Sequence, residues 1–488
     1  MIKHTLPIYE KIGYAMGDAG ANLVWRGALA YLAVFYTDTF GISAAAAALL
    51  FLVVRLSDGV TDIIMGMIAD RTQTRLGKFR PWILWSTPFL ALFMVLCFTT
   101  PDISPTAKLI YAYFTYIGLT LAYTVSNVPY SALMGVMTGD DLERTKLSGF
   151  RFAGAFAGGL LVMGFLPDLV AYFGQGDSAQ GYQYTMYIFA ALLTVLMLVT
   201  FASTKERVQP ATNKQISLKT ELADLSSSLP FIILPLLAIT LFFYYRELYS
   251  GLFFAATMIF MTVLIRRLLA SDHSKLSGSQ QDMVDLLTNK PWLILLGMGF
   301  LTMMFNGIKY AVIAYYFKYY VGNELLTGQY FIALLVVSIF GALSTGKLAE
   351  ILGKRTLFIA SLLLSALFTI CFFWLPNDNL GLIFVMGCLS EFFAAMMPTL
   401  FFTMLGDSAD YSEWKNKRRA TGLIYSAGTF VQKTGGGFAG ALVLVVLASY
   451  GYDGMDETTV AHSLDGMILL MSWLPAAFAL IAAALMAF

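Results

Sequence analysis

Asp58 and Asp62 stand four residues apart, just behind a run that is wholly apolar from Ala44 to Val54. On an α-helix this spacing puts both carboxylates on one face, one turn and about 6 Å apart. A charged side chain at the middle of a bilayer costs about 2.5–3.5 kcal/mol, so a buried pair marks an ion or proton path before it marks packing. Two carboxylates at this separation can hold a small hard cation, and Thr61 adds a hydroxyl on the adjacent edge of the helix. The competing structural reading pairs Asp58 with Arg55, three residues back.

Other ionisable residues interrupt apolar stretches. Asp18 is a lone carboxylate in "YAMGDAGANLVWRG". It can accept hydrogen bonds from two hydroxyls of a polar ligand at once, which an apolar wall cannot do, or it can pair with a cation at the end of the span. Arg151 opens a later apolar stretch, where an arginine can also be a simple interfacial anchor. Lys433 lies inside "FVQKTGGGFAG". Lys309 and Glu391 are both embedded in apolar runs, and mutual pairing is the plainest account of them. Tyr123, Tyr130 and Trp25 could wall a sugar site by stacking or could simply pack. Gly435, Gly436, Gly437 and Gly440 read as a close-packing stripe, since neither a basic partner nor a helix start makes them a phosphate loop.

These side chains must be positioned by elements that cross a membrane. Of 488 residues, 58% are hydrophobic and only 12% are charged, more apolar surface than a soluble chain of this length can bury. Twelve long apolar spans are expected, at about 12–38, 44–70, 82–101, 107–138, 146–171, 182–203, 292–321, 327–350, 356–376, 380–405, 420–450 and 465–487. Each is long enough for a core of about 30 Å. Between the sixth and seventh lie polar linkers around two shorter apolar runs at about 229–267, which read as an extra membrane hairpin. The expected fold is therefore an all-α polytopic membrane protein with fourteen spans. Residues 1–206 form an N-terminal six-helix bundle, 207–290 cytoplasmic linkers with the inserted hairpin, and 291–488 a C-terminal six-helix bundle.

Lys and Arg concentrate in alternate loops: Arg71, Arg75, Lys78 and Arg80, then Arg144 and Lys146, then Lys415, Lys417, Arg418 and Arg419. The intervening loops "PDLVAYFGQGDSAQGYQY" and "YGYDGMDETTVAHS" have none. By the positive-inside rule both termini are cytoplasmic, as in a multi-pass protein of a bacterial-type inner membrane. The start "MIKHTLPIYEKIGYAMGDAG" has no compact apolar core with a cleavage site and does not read as a removable signal. The two sets of six spans look related, because "GMIADRTQTRLGKFR" ends span 2 and "GKLAEILGKR" ends span 8. Spans 4 and 10 each carry a mid-helix proline and a Gly-Asp exit. Duplicated halves suit a transporter whose site lies between two rocking bundles.

The stretches "GMIADRTQTRLGKFRPW" and "GDSADYSEWKNKRRATGLIYSAGTFVQK" resemble the glycoside–pentoside–hexuronide:cation symporter family, a branch of the major facilitator superfamily. The likeness runs through nearly all twelve spans, and the hairpin departs from the family plan. The resemblance implies that Asp58 and Asp62 bind the coupling cation, Na+ or H+, with Thr124 as a third oxygen donor. It implies that Asp18 and Arg151 meet the sugar and that Lys433 links the sugar and cation sites. Asn127, Tyr130 and Thr429 complete the expected substrate contacts. The family's best-known member has a Lys before the span 1 Asp, and on span 4 a second sugar-binding Asp and a stacking Trp. This chain has Gly17, Asn127 and Ser131 there, so galactoside specificity is not implied.

The expected function is secondary active symport of a sugar, glycoside or oligosaccharide with a monovalent cation, by a chain that works as a monomer in a lipid bilayer. A hexuronide or glucuronide, with its carboxylate on Arg151, Lys433 or Lys309, is one alternative, and a lysolipid another. No cofactor beyond the coupling ion is expected. The balance of 31 basic against 30 acidic residues gives no nucleic-acid surface. Three histidines at the ends and in loops, and no HExxH or nucleophile elbow, argue against an enzyme. Cys97, Cys371 and Cys388 have no ligand spacing and read as core thiols.

Overall fold

The computed structural model describes residues 5–42, 44–208, 248–270, 278–323, 326–416, 421–451 and 457–487. Sixteen α-helices are found among them, and no strand. The first half holds α1 (Ile8–Val34), α2 (Ala44–Arg71), α3 (Arg80–Cys97), α4 (Pro105–Met137), α5 (Asp141–Gly174) and α6 (Ser178–Ser203). Next come α7 (Leu248–Ala270) and the short α8 (Gly278–Leu287). The later half holds α9 (Lys290–Tyr315), α10 (Leu326–Leu352), α11 (Lys354–Ile370), α12 (Leu380–Ala394), α13 (Met396–Asn416), α14 (Thr421–Ser449), α15 (Glu457–Met471) and α16 (Trp473–Ala487).

Helices occupy the positions of all twelve expected long spans. Ten helical segments are long and apolar enough to cross a bilayer, with α12–α13 and α15–α16 each counting as one crossing. The charge-bearing α1 and α2 pack among them, α1 on α5 and α6, and α2 on α4 and α14. Proline explains the two broken crossings. Pro398 has no N–H for the Ala394 carbonyl, and the helix breaks at Ala395; Pro475 stands in the same relation to Met471, with the break at Ser472. Helix starts are capped in the usual way. Ser104 accepts a hydrogen bond from Ala107 N–H ahead of Pro105, and Asp140 accepts from the N–H groups of Leu142 and Glu143 at 2.9 Å each. This cap carries α5 further out than the apolar run alone would.

Close backbone approach locates α5 against both halves. A Cβ on Gly158 would lie 2.3 Å from the Ala19 carbonyl oxygen of α1, and one on Gly149 2.5 Å from that of Ala342 in α10. Small residues are therefore required where Asp18 and Arg151 are brought together. The expected stripe in α14 is narrower than its sequence suggests. Gly435 sits against Phe300 and Met303, whereas Gly436, Gly437 and Gly440 face open space.

Of the expected extra hairpin, the first arm lies outside the described residues. The second arm is helix α7, which packs on α8 and exposes Leu252, Ile259, Phe260 and Val263.

Candidate functional site

Two groups of buried charges lie between α1, α2, α4, α5 and α14. In the first, the one-turn spacing read from the sequence is realised: Asp58 and Asp62 project from α2 and are 3% and 0% exposed. The Thr124 hydroxyl of α4 lies 3.1 Å from Asp58 Oδ1 and 2.9 Å from Asp62 Oδ1. It carries one proton, so it donates to one carboxylate at a time. Lys433 of α14 closes the cluster with its Nζ 2.8 Å from Asp58 Oδ2 and 2.9 Å from Asp62 Oδ2. Trp25 and Tyr123 stack on one another at 5.3 Å, and each ring centroid lies 5.8 Å from the Lys433 ammonium.

In the second group, Arg151 Nε donates to Asp18 Oδ2 at 3.0 Å, and its Nη2 donates to the Ser131 hydroxyl at 3.0 Å. The guanidinium is held between the Tyr130 ring of the first half (5.2 Å) and the Phe402 ring of the later half (4.4 Å). Its Nη1 is buried with no hydrogen-bond partner among the described residues. Asn127 is buried on α4 between Thr124 and Ser131, three residues after one and four before the other. It shares a helix face with both groups.

Several expected roles change. Thr61 does not join the carboxylates, because its hydroxyl donates to the Asp58 backbone carbonyl at 3.1 Å, the usual recourse of a threonine inside an apolar helix. Thr429 does the same with the Tyr425 carbonyl at 3.0 Å. Tyr130 is a packing residue here: its ring stacks on Tyr14 at 4.5 Å and its hydroxyl donates to the Tyr14 carbonyl at 2.6 Å. Lys433, expected to link the sugar and cation sites, sits inside the carboxylate pair. The alternative partner of Asp58, Arg55, has a side chain outside the described residues.

Lys309 and Glu391 form a separate buried pair in the later half. Lys309 Nζ is 3.6 Å from Glu391 Oε2 and donates to the Ser390 hydroxyl at 2.9 Å. Tyr310 and Ser338 each donate to Glu391 Oε1 at 3.0 Å.

The end of the molecule bearing the basic loops is bolted between halves. Arg144, 1% exposed, donates to Asp407 at 3.1 Å and to Asp410 at 2.9 Å. Lys354 joins Asp407 at 2.6 Å, Lys146 pairs with Glu350, and the Ser148 hydroxyl donates to the Thr399 carbonyl at 2.8 Å. In the sequence Arg144 reads only as a topology marker. Asp407 and Asp410 lie more than 260 residues away, and the one available signal is the acidic "GDSAD" spacing on a helix that faces a basic loop. The bolts belong to the end that carries the start of α1 and the end of α16, and they tie the halves together there.

Two six-helix sets meeting at buried charges, shut at one end by ion pairs, define a major facilitator transporter. A family model described as MFS/sugar transport protein matches residues 13–260 and 241–488, and the chain belongs to that family. It is 31% identical over 485 residues to the inner membrane symporter YicJ of Escherichia coli K12, covering 98% of this chain and 90% of that one. It is 30% identical to the isoprimeverose transporter of Lactiplantibacillus pentosus, covering 97% and 86%. Among solved structures, the transporter FucP in its outward conformation superposes with a TM-score of 0.60 at 13% identity, over 97% of this chain and 98% of that one. That last likeness concerns the fold alone.

Proposed function

We propose that this chain imports a sugar or glycoside across a bacterial-type inner membrane together with one monovalent cation, Na+ or H+, by alternating access. Its two six-helix halves are residues 1–206 and 291–488, and it acts as a monomer. One observation carries the reading: Asp58 and Asp62 come from one half, and the Lys433 ammonium placed between them comes from the other. Two carboxylates and one ammonium leave a single negative charge. One monovalent cation neutralises it, and its entry frees Lys433 from the pair. The ion-binding step is thereby tied to the contact between the halves, which is what coupling requires. The oxygen donors, two carboxylates and a hydroxyl, suit a small hard cation or a proton.

Asp18, Arg151 and the free Nη1 form the polar floor for sugar hydroxyls, with Asn127 joining that floor to the cation cluster. The basic loops support a cytoplasmic position for the bolted end, and on that orientation the arrangement with Arg144 on Asp407 and Asp410 is closed inward. The isoprimeverose transporter among the relatives supports a glycoside as cargo. Counterflow in proteoliposomes against a glycoside panel, with and without Na+ and across pH, tests the reading. Cation-stimulated uptake of at least one glycoside is expected. Uptake indifferent to both Na+ and pH would overturn the coupling.

A further inference from the structure

Arg151 belongs to the first half, yet the nearest ring to its guanidinium comes from the later one. The Phe402 ring of α13 lies 4.4 Å from the guanidinium carbon, against 5.2 Å for each of Tyr130 and Phe152. Both partners are buried, Phe402 at 1% and Arg151 at 3% exposure, where a cation–ring contact is stronger than at a wet surface. Phe402 is held in turn by its own neighbours. Its ring packs on Phe152 of α5 at 5.5 Å and stacks on Tyr425 of α14 at 6.1 Å.

The same two helices carry the bolt. Arg144 stands seven residues before Arg151 on α5, about 10 Å of rise. Its partners Asp407 and Asp410 follow Phe402 on α13. Between Arg144 and Arg151, Ser148 donates to the Thr399 carbonyl of α13 at 2.8 Å. One seam between α5 and α13 therefore runs from the bolted end to the guanidinium. The other partners of Arg151 named above, Asp18, Ser131 and Tyr130, all belong to the first half.

We propose that Phe402 is a positioning residue for the sugar, holding the Arg151 guanidinium in place only while the bolts hold. Nη1 of Arg151, buried and unpartnered among the described residues, is then fixed where a sugar hydroxyl can accept from it. A parting of α5 from α13 that breaks the bolt also draws the Phe402 ring away. The guanidinium regains rotamers that binding must freeze again, so affinity falls. Capture on one side of the membrane and release on the other then share one ring, lent by the later half to the first. The inference rests on the reading of Arg151 as part of the sugar floor and adds a residue to that site.

The test begins with equilibrium binding of methyl glucosides, galactosides and xylosides, and of the corresponding disaccharides, to the purified full-length protein. Phe402→Leu keeps apolar bulk but loses the ring, and should weaken binding about fivefold or more. Phe402→Tyr should retain most of the affinity. In an Arg151→Ala background, Phe402→Leu should have no further effect, because the ring acts through the guanidinium. Transport adds the sidedness: half-saturation should rise several-fold in right-side-out vesicles and stay within twofold in inside-out ones. An equal change on both faces, or a loss that persists undiminished without Arg151, would overturn the proposal and leave Phe402 a packing residue. So would a loss matched by Arg144→Ala, which weakens the bolt and leaves the ring in place. Sugar binding that depends on Arg151 but not on Phe402 would defeat this inference alone. Wild-type affinity in Arg151→Ala, or no binding of any sugar in the set, would defeat the sugar floor with it. Phe402→Met supplies a second ringless variant, and thermal unfolding separates a binding loss from a folding one.

Discussion

Among the described residues, the chain buries two lysine–carboxylate clusters in its membrane interior, and they are built in opposite ways. The Asp58–Asp62–Lys433 cluster spans the two halves, has two acids for one base, and is supported by a single hydroxyl, that of Thr124. The Lys309–Glu391 cluster lies wholly within the later half, balances its charges one to one, and is tied by hydroxyls of Tyr310, Ser338 and Ser390. Ser390 is itself held by Ser365 and Thr369. A charge group meant to change partners must be under-supplied with them and placed where parts move. A group meant to hold four helices together must be balanced in charge and contained within one half. Burial alone does not distinguish the two; stoichiometry and location do.

The sharpest way to break that contrast is to neutralise each cluster. Asp58→Asn or Asp62→Asn should abolish gradient-driven accumulation while the protein still inserts and sugar exchange continues. Normal cation-stimulated accumulation in either variant, measured with radiolabelled sugar in proteoliposomes, would end the cation assignment. Lys433→Ala should likewise uncouple uptake, because the tie between the halves is lost. The proposed sugar floor, Asp18 and Arg151, is a separate target. Asp18→Ala and Arg151→Ala should each cost about 2 kcal/mol or more of substrate binding, roughly thirtyfold, by leaving a buried charged partner unpaired. Equilibrium binding within twofold of wild type would displace the site.

In the later half the expected effect falls on stability. Glu391→Gln strands the Lys309 ammonium and should destabilise the protein by about 3–5 kcal/mol, read as a lower thermal midpoint. Adding Lys309→Met should recover most of this, with ion coupling intact in both variants. Loss of cation stimulation in the folded double variant would make this cluster functional rather than structural. A smaller effect is expected at the bolted end. Arg144→Ala should raise labelling of a Ser148→Cys site from the cytoplasmic side several-fold, in a chain whose own cysteines are replaced, and unchanged labelling would exclude a gate there. Smallest of all, replacing residues 229–265 by a short polar linker should leave substrate affinity nearly unchanged, since those apolar runs carry nothing to hold a cation or sugar beyond Arg246 and Glu247 between them. Lost binding in a well-folded deletion would sink the peripheral role.

What could be read in advance follows the range of the forces involved. The twelve spans rest on local hydrophobicity, and all appear. The Asp58–Asp62 pair is a one-turn relation on a single helix and was legible for the same reason. Thr61 was placed by that periodicity too, but a β-branched hydroxyl in an apolar helix bonds its own backbone, which face counting does not register. The position of Lys433 depends on a contact across 371 residues of chain, and only the resemblance brought it near the site at all. Lys309 and Glu391 could be paired because two buried charges need each other.

The single uncompensated negative charge left by Asp58, Asp62 and Lys433 has an electrical consequence. If the cluster binds the coupling ion as proposed, it would be neutral when loaded, and the membrane potential would exert no net force on it during the inward swing. Emptied, the cluster would carry its one negative charge back, and an interior that is negative would repel it toward the outside, with up to about 2.3 kcal/mol per 100 mV if the charge crosses the whole field. Voltage acting on this cluster would then be felt in the return stroke.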